Sequence, residues 1–337
     1  MDATIIGLAH VGKTTLLEAL AGREIAAGIA TVPVRDARLD ALTAIFNPKK
    51  TVYAEFRLRE AMWPGTDSGR KNEMERYIQN VRGAKVFLHV LAAVQTPMMT
   101  EGANPVRDLE KLDSEMIFAD LVSLDRYLEK NRKAKIDPNL EKLIVRLKEE
   151  LENETPLWTV EMTEAEEALL AGFNLVTRTP QLIVVNTDEG ADDYDASAFG
   201  KLNGRHVVSM NFPMAKEISF LPREEQFVFA QEMGMEGPAA DRVSKEVFRQ
   251  LDLISFFTVG EDECRAWPIT RGTTAKRAAG QIHSDIERGF IRAELAGYDD
   301  FMARKSLKQC KDDGVLRLEG KEYVVADGDI INFRFNV

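Results

Sequence analysis

Eight residues near the start of the chain have the spacing of a phosphate-binding loop. Residues 7–14 read Gly-Leu-Ala-His-Val-Gly-Lys-Thr and match the pattern G-x-x-x-x-G-K-[ST]. In this pattern backbone N–H groups converge on the β-phosphate of a nucleotide, the lysine reaches the β- and γ-phosphates, and the last hydroxyl ligates Mg²⁺. We therefore predict phosphate binding, with Thr14 as the metal ligand. The residues expected at the phosphates are His10, Val11, Gly12, Lys13, Thr14 and Thr15.

This loop needs a strand before it and a helix after it. Residues 3–6 form a short apolar run that predicts a buried strand, and residues 15–21 have a helical pattern that ends at Gly22. That order places the N-terminus of the helix, with its partial positive charge, at the phosphates. A glycine turn that contains a lysine by chance would not require this order, so we favour phosphate binding.

Length and composition limit the class of protein. The 337 residues are too many for one small core and predict two or three domains. No apolar stretch has the length of a bilayer span and no cleavable leader precedes the first strand, so we expect a cytoplasmic protein without membrane contact. The two cysteines lie far apart, which fits a reducing compartment. The net charge of -11 argues against coating nucleic acid by bulk electrostatics, but a local basic patch stays open.

The segments around the loop alternate between strand and helix patterns, which is typical of an α/β fold. Apolar runs at 85–91 and 181–185 predict parallel strands covered on both faces, and 205–209 predicts another strand. Residues 51–58 alternate between apolar and polar side chains, which predicts a single strand with one buried face. Residues 71–82 have a helical pattern.

Two further segments have different patterns. Residues 105–153 carry apolar side chains at helical spacing, with a break at Asp137 and Pro138, which predicts a hairpin of two antiparallel helices. From residue 257 onward, short strands, one helix at 275–283 and glycine-containing turns predict a small α+β domain.

The last part of the chain carries the most specific pattern. Gly-Phe-Ile-Arg-Ala-Glu at 289–294, residues 318–329 and residues 333–337 resemble the C-terminal TGS domain of the YchF family, a branch of the Obg-like P-loop NTPases. The resemblance extends over nearly the whole chain. It implies an α/β fold: a P-loop NTPase G domain with an inserted helical hairpin, followed by a ubiquitin-like β-grasp (TGS) domain. The expected boundaries are 1–104 and 178–256 for the G domain, 105–177 for the hairpin and 257–337 for the TGS domain.

The strand predicted at 181–185 is followed by Asn-Thr-Asp-Glu. Asn186 occupies the first position of the guanine motif N-K-x-D, and Glu189 stands where the aspartate would accept two hydrogen bonds from guanine. This resembles the N-x-x-E variant, which in the family implies a preference for ATP over GTP, because a longer carboxylate disturbs the paired guanine contact. Ser209 and Met210 are expected beside the base. The alternative is a strand-end turn in which Asn and Asp make local hydrogen bonds.

Two residues that hydrolysis requires are not found in the sequence. Residues 23–31 are shorter than the switch I segment of the family and lack its threonine motif, for which Thr31 is a weak substitute. No aspartate occupies the family's D-x-x-G position after the strand at 51–58, and Glu60 is a displaced alternative. Without that aspartate Mg²⁺ would be held by Thr14 and phosphates alone, so we expect weak or no hydrolysis and assign no catalytic residue.

The sequence therefore predicts a purine nucleotide-binding protein that takes Mg²⁺ with ATP, or with GTP. The resemblance implies a regulator of translation that associates with the ribosome. The alternative is a pseudo-NTPase adaptor whose helical hairpin and TGS domain bind a protein or RNA partner. Basic residues such as Arg292 leave RNA contact open, although acidic neighbours favour a solvated mixed surface. We expect a monomer, because the predicted domains need no second chain to bury their cores.

Overall fold

The computed structural model describes residues 1–64, 70–99, 101–132, 136–190, 194–235 and 237–336. The chain forms two compact units, Met1–Val32 with Phe56–Gln250 and Pro33–Glu55 with Leu251–Val337. The strands are β1 Asp2–Ile6, β2 Ile29–Val34, β3 Lys50–Val52, β4 Ala54–Glu60, β5 Val86–Ala92, β6 Gln181–Asn186, β7 His206–Met210, β8 Leu253–Thr258, β9 Glu263–Thr270, β10 Phe290–Ala296, β11 Arg317–Glu319 and β12 Ile330–Phe335. The helices are α1 Lys13–Ala21, α2 Ala37–Phe46, α3 Arg70–Val81, α4 Pro105–Asn131, α5 Pro138–Glu152, α6 Glu164–Leu170, α7 Phe212–Ser219, α8 Arg223–Glu232, α9 Ala239–Gln250, α10 Ala275–Ile282, α11 Ser284–Arg288, α12 Tyr298–Arg304 and α13 Leu307–Asp312.

The first unit is built on a sheet with the strand order β2-β4-β1-β5-β6-β7. The strands from β4 to β7 in this order run parallel to their neighbours. β5 and β6 are buried at every position, as expected for parallel strands covered on both faces. The predicted α/β fold is confirmed. Because all these strands point the same way, the segments that follow β1, β4, β6 and β7 meet along one edge of the sheet.

The helical hairpin consists of α4 and α5. Each helix has proline in its first turn and an Asn or Asp cap: Asn104 accepts a hydrogen bond from Arg107 N at 3.0 Å, and Asp137 accepts one from Asn139 N at 2.8 Å. The break predicted at Asp137 and Pro138 is therefore the start of α5. No helix in the described part of the chain has both the length and the apolar content needed to cross a membrane. The buried apolar core of the hairpin includes Leu124, Leu140, Leu143, Ile144, Leu147 and Leu151.

The second unit contains a mixed sheet with the order β11-β10-β12-β8-β9-β3. β8 and β12 are parallel in its centre, whereas β8–β9, β10–β12 and β10–β11 are antiparallel. The alanine face of α10 is buried against this sheet, in a cluster with Phe256, Leu295 and Phe333. A helix packed on one face of such a mixed sheet is compatible with the β-grasp arrangement expected for the end of the chain.

The prediction of one strand at 51–58 is wrong, because the structure divides this segment at Tyr53. β3 pairs in parallel with β9 in the second sheet, whereas β4 pairs in parallel with β1 in the first. β4 alternates between buried and exposed residues, but no residue of β3 is fully buried. Alternation in the sequence shows which face of a strand is buried, but it does not show which strand is its neighbour. The sequence therefore could not indicate that residues 50–52 and 54–60 belong to different sheets. Residues 33–55, placed in the G domain from the sequence, thus group with the C-terminal unit.

Candidate functional site

The phosphate loop, residues 7–14, connects β1 to α1 and has backbone conformations that favour glycine. Gly7 has φ 143° and Gly12 has φ 100°. A Cβ atom on Gly7 would lie 2.4 Å from the carbonyl oxygen of Val90, and one on Gly12 would lie 2.8 Å from a ring carbon of Phe212. Both glycines are therefore required by conformation and by space, which explains the glycine spacing of the motif.

The N-terminus of α1 opens at this loop without a side-chain cap. Its N-cap residue Gly12 makes no side-chain hydrogen bond, and no acidic residue lies in the first turn. The backbone N–H groups of a first turn have no partner within the helix and carry the positive end of the helix dipole. The arrangement is suited to an anion such as phosphate.

Lys13 lies inside the loop and is only 6% exposed. Its Nζ donates hydrogen bonds to the carbonyl oxygens of Gly7 at 3.1 Å and Leu8 at 2.6 Å. Burial lowers the pKa of Lys13 to about 8, and the negative charge of Glu60 opposes this shift only in part. A phosphate group would supply the full negative charge that these two neutral carbonyl groups lack.

Glu60, which the sequence offered only as a displaced alternative to the missing aspartate, lies beside the phosphate loop. It is the last residue of β4 and lies in register with Ile5 of β1, directly before the phosphate loop. Both of its carboxylate oxygens lie within hydrogen-bonding distance of Thr14 Oγ1, at 3.0 and 2.9 Å. The structure thus places a carboxylate beside the predicted metal ligand, although the family's aspartate is missing. The sequence named Glu60 but could not place it, because its position depends on the pairing of β4 with β1.

Thr31, the candidate for the switch I threonine, does not lie at the phosphate loop as Glu60 does. Thr31 is an exposed residue of β2. β2 is preceded by Gly28, whose carbonyl oxygen accepts a hydrogen bond from Glu60 N at 2.8 Å. The short segment after α1 therefore enters the sheet beside β4 and forms an edge strand instead of a long loop.

Asn186 connects the base motif to the phosphate loop. This residue ends β6 and is only 5% exposed. Its Nδ2 donates to the carbonyl oxygen of Val11 at 3.4 Å, and its Oδ1 accepts from Phe212 N at 3.2 Å, at the start of α7. One buried amide therefore holds the end of β6, the phosphate loop and the N-terminus of α7 together.

The other residues predicted to contact the base, Ser209, Met210 and Glu189, do not contact the phosphate loop as Asn186 does. Met210 is fully buried in register with Asn186, and the hydroxyl of Ser209 accepts a hydrogen bond from Tyr194 N at 3.1 Å. Glu189 is exposed three residues beyond the end of β6. The structure thus brings Asn186 to the loop and places Ser209 and Met210 beside β6, while the Glu189 side chain faces solvent.

The outer part of the phosphate loop is accessible. His10 is exposed with φ 63°, and its carbonyl oxygen accepts a hydrogen bond from Thr96 Oγ1 at 3.4 Å. Val11 is buried, Thr14 is exposed and Thr15 is half-buried. In the described part of the chain no group of three or more His, Cys, Asp or Glu side chains could hold a metal ion. A metal ion at Thr14 and Glu60 would therefore take its remaining ligands from a phosphate group or from water.

Comparisons with a family model and with characterised proteins indicate the same family. The family model YchF-GTPase_C, described as a protein of unknown function (DUF933), matches residues 253–336. A Bacillus subtilis protein named ribosome-binding ATPase YchF is 35% identical over 367 residues, with 100% of both chains covered. The protein of the same name from Haemophilus ducreyi is 34% identical, with 99% of this chain and 98% of the relative covered.

Solved structures show the same fold. The YchF GTPase of Schizosaccharomyces pombe has a TM-score of 0.87 at 24% identity and covers 99% of this chain and 97% of its own. A GTP-binding protein from Pyrococcus horikoshii has a TM-score of 0.61 at 16% identity, with both chains fully covered.

Proposed function

Because the chain belongs to the YchF family of P-loop NTPases, we propose that it binds ATP with Mg²⁺ and associates with the ribosome. The observation that carries the nucleotide part is the phosphate loop itself, in which Lys13 is buried at an uncapped helix N-terminus and Thr14 faces Glu60. The ribosomal part is supported by the name of the relatives from Bacillus subtilis and Haemophilus ducreyi, ribosome-binding ATPase YchF.

The residues of the loop have separate tasks in this proposal. The first-turn N–H groups of α1 bind phosphate oxygens, and Lys13 exchanges its two carbonyl partners for the β- and γ-phosphates. Thr14 Oγ1 would ligate Mg²⁺, and the Glu60 carboxylate beside it would accept a hydrogen bond from the Thr14 hydroxyl or from a water held by the ion. When bound, the ion neutralises negative charge on the phosphates.

The base is selected by the segment after β6. Asn186 positions this segment on the phosphate loop through Val11. Glu189 replaces the aspartate that would pair with guanine, and its longer side chain favours adenine. Its exposed position leaves it accessible to a base at this edge of the sheet.

We propose that hydrolysis is slow. Glu60 provides a carboxylate at the metal, but Thr31 lies on an exposed position of β2 and not in a long switch loop. Closure of a switch threonine over the γ-phosphate is what completes the metal site and excludes water in G domains. Bound ATP would therefore persist for a long time before it is converted to ADP.

Calorimetric titration with ATP and GTP, with and without Mg²⁺, tests the nucleotide part. We expect saturable ATP binding that is tighter with Mg²⁺, weaker binding of GTP, and loss of binding in Lys13→Ala. Lys85→Ala, an exposed lysine before β5, is the matched control. Failure to bind either nucleotide would overturn the proposal, and tighter binding of GTP would overturn the assignment of the base.

Two further measurements separate the turnover and ribosome parts. Single-turnover phosphate release from bound ATP should be slow and should be lost in Lys13→Ala. Co-sedimentation with purified ribosomes should differ between ATP and ADP, and Lys13→Ala should abolish that difference. ATP binding and ribosome retention without any phosphate release would indicate the pseudo-NTPase adaptor instead.

A further inference from the structure

Helix α8, in the first unit, turns its large apolar side chains toward solvent. Of its 10 residues only Ala230 is buried. Gln226, one turn before Ala230, also faces the protein, because its Nε2 donates to the carbonyl oxygens of Ser219 at 3.0 Å and Leu221 at 2.8 Å. The opposite side of the helix therefore has no covering element among the described residues.

Four apolar side chains are exposed on this helix and directly after it, and we call them the α8 patch. They are Phe227, Val228, Phe229 and Met233, each between 40% and 54% exposed. Phe229 and Met233 are four residues apart and thus lie next to each other on the helix surface, with Val228 beside them. Among the described residues no other stretch of this length exposes as many large apolar side chains. Such a cluster, when polar residues surround it, is typical of a protein interaction site.

Exposed carboxylates surround the α8 patch. Glu224 and Glu232 lie one turn before and one turn after Val228, and Glu225 lies one turn before Phe229. In the described part of the chain none of these three glutamates forms an ion pair. The patch therefore has an apolar centre with an acidic rim.

The cations nearest in sequence do not offset this negative charge. Arg223 forms an ion pair with Asp241, and Lys216 forms one with Glu18 at 2.8 Å. The guanidinium carbon of Arg223 also lies 4.4 Å from the centre of the Phe227 ring. One phenylalanine of the patch thus already binds a cation of the same chain through its ring face, while the three glutamates keep their charge.

The acidic rim limits which molecule can cover the α8 patch. RNA would bring its phosphates beside the three carboxylates, and a second copy of the chain would bring the same acidic rim, so like-charge repulsion opposes both. A protein segment with apolar side chains flanked by Lys or Arg matches the apolar centre and the rim together. Its cations could also lie over the ring of Phe229, as Arg223 lies over Phe227.

We propose that the α8 patch binds an amphipathic basic segment of a partner protein. The apolar side chains of the partner lie on Phe229 and Met233, and its Lys or Arg side chains pair with the three glutamates of the rim. This docking surface goes beyond nucleotide binding and ribosome association and rests on neither.

Fluorescence anisotropy with labelled helical peptides tests the chemistry of the partner. The probe peptide has leucine on one face and lysine on the other. One comparison peptide has glutamate in place of lysine, and a second has serine in place of leucine. The leucine–lysine peptide should bind the full chain saturably at about 150 mM salt and more weakly at about 500 mM, because salt screens the charge pairs. The two comparison peptides should not bind.

Substitutions in the apolar centre test the location. Phe229→Ser should weaken binding of the leucine–lysine peptide at least about tenfold. Phe118→Ser is the matched control, because this phenylalanine of α4 is 61% exposed and lies outside the patch, and it should leave binding unchanged. Val228→Ser, at a more exposed position of the patch, repeats the test if Phe229→Ser lowers the midpoint of urea unfolding.

Charge reversal tests the acidic rim. Glu224→Lys combined with Glu225→Lys should abolish binding of the leucine–lysine peptide and allow the leucine–glutamate peptide to bind instead. Glu129→Lys combined with Glu141→Lys, at exposed positions of α4 and α5, changes the net charge by the same amount and should do neither.

The proposal is overturned if the leucine–lysine peptide does not bind, or if Phe229→Ser and Val228→Ser both leave its binding unchanged. An equal loss in the variant reversed at Glu129 and Glu141 would indicate attraction to the overall charge and would also overturn it. A dimer that Phe229→Ser dissociates in analytical ultracentrifugation would assign the patch to a second copy of the chain. Binding of a labelled single-stranded RNA that is lost in Phe229→Ser would assign it to RNA, and either result would refute the proposed partner.

Discussion

ATP binding should weaken as the pH rises above neutrality, because the buried ammonium of Lys13 loses its proton. In the free protein the group donates only to the carbonyl oxygens of Gly7 and Leu8, and burial lowers its pKa from 10.5 to about 8. The protonated form attracts phosphates and the neutral form does not. A bound polyphosphate supplies the opposite charge that raises the pKa again, so the complex retains the proton.

The sign and size of the effect follow from this difference in proton affinity. With a pKa of about 8 in the free protein, most molecules carry the proton at neutral pH and few carry it well above. From about pH 7 to about pH 9 the protonated fraction falls about tenfold, which costs about 1.4 kcal/mol of binding free energy. Binding must therefore take up almost no proton at the lower pH and close to one proton per ATP at the higher pH.

Isothermal titration calorimetry at both pH values measures this directly. Buffers of different ionisation enthalpy give the number of protons taken up. With a last phosphate pKa of about 6, roughly nine-tenths of the ATP is fully ionised at about pH 7 and nearly all of it at about pH 9, so the phosphates contribute little to the difference between the two pH values. Lys13→Arg is the control, because a guanidinium stays protonated and should remove the pH dependence at any absolute affinity. An affinity that is constant from about pH 7 to about pH 9 in the wild type would refute the reasoning, as would an equal loss in Lys13→Arg.

Three further predictions concern the neighbours of the loop. Glu60→Gln should reduce the gain in ATP affinity that Mg²⁺ produces by about tenfold. It should also shift the pH dependence of ATP binding to lower pH, because Glu60 raises the pKa of Lys13, whereas Glu55→Gln on the same strand should do neither. An unchanged Mg²⁺ dependence in Glu60→Gln would contradict the metal assignment. Asn186→Ala should lower the free energy of unfolding in urea by about 1–3 kcal/mol, because two buried backbone groups lose their partner; a change within error would show that water replaces the amide. Gly12→Ala should abolish ATP binding, because the added methyl group displaces the loop. The control Gly83→Ala, at φ 85° with open space around it, should keep ATP binding and cost only about 1–2 kcal/mol of stability in the same denaturation experiment. Retention of ATP affinity in Gly12→Ala would show that the loop tolerates the added methyl group.

The local features of this protein can be read from its sequence. The glycine spacing, the apolar runs of β5 and β6 and the proline at the start of α5 each act over a few residues, and the structure has each of them where the pattern predicts it. Such patterns determine the backbone conformation and the buried face directly, because glycine, proline and apolar periodicity act on the chain next to them. The resemblance of the last segment to one family then extends these local features to a whole fold.

The tertiary structure decided which distant residues meet. Thr14 and Glu60 are 46 residues apart, Val11 and Asn186 are 175 apart, and Asp113 and Arg205 are 92 apart. Their contacts depend on strand order and register, which residue spacing does not encode, and the same is true of the change of sheet between β3 and β4. The contact of Glu60 with Thr14 is one such case, because it depends on the parallel pairing of β4 with β1.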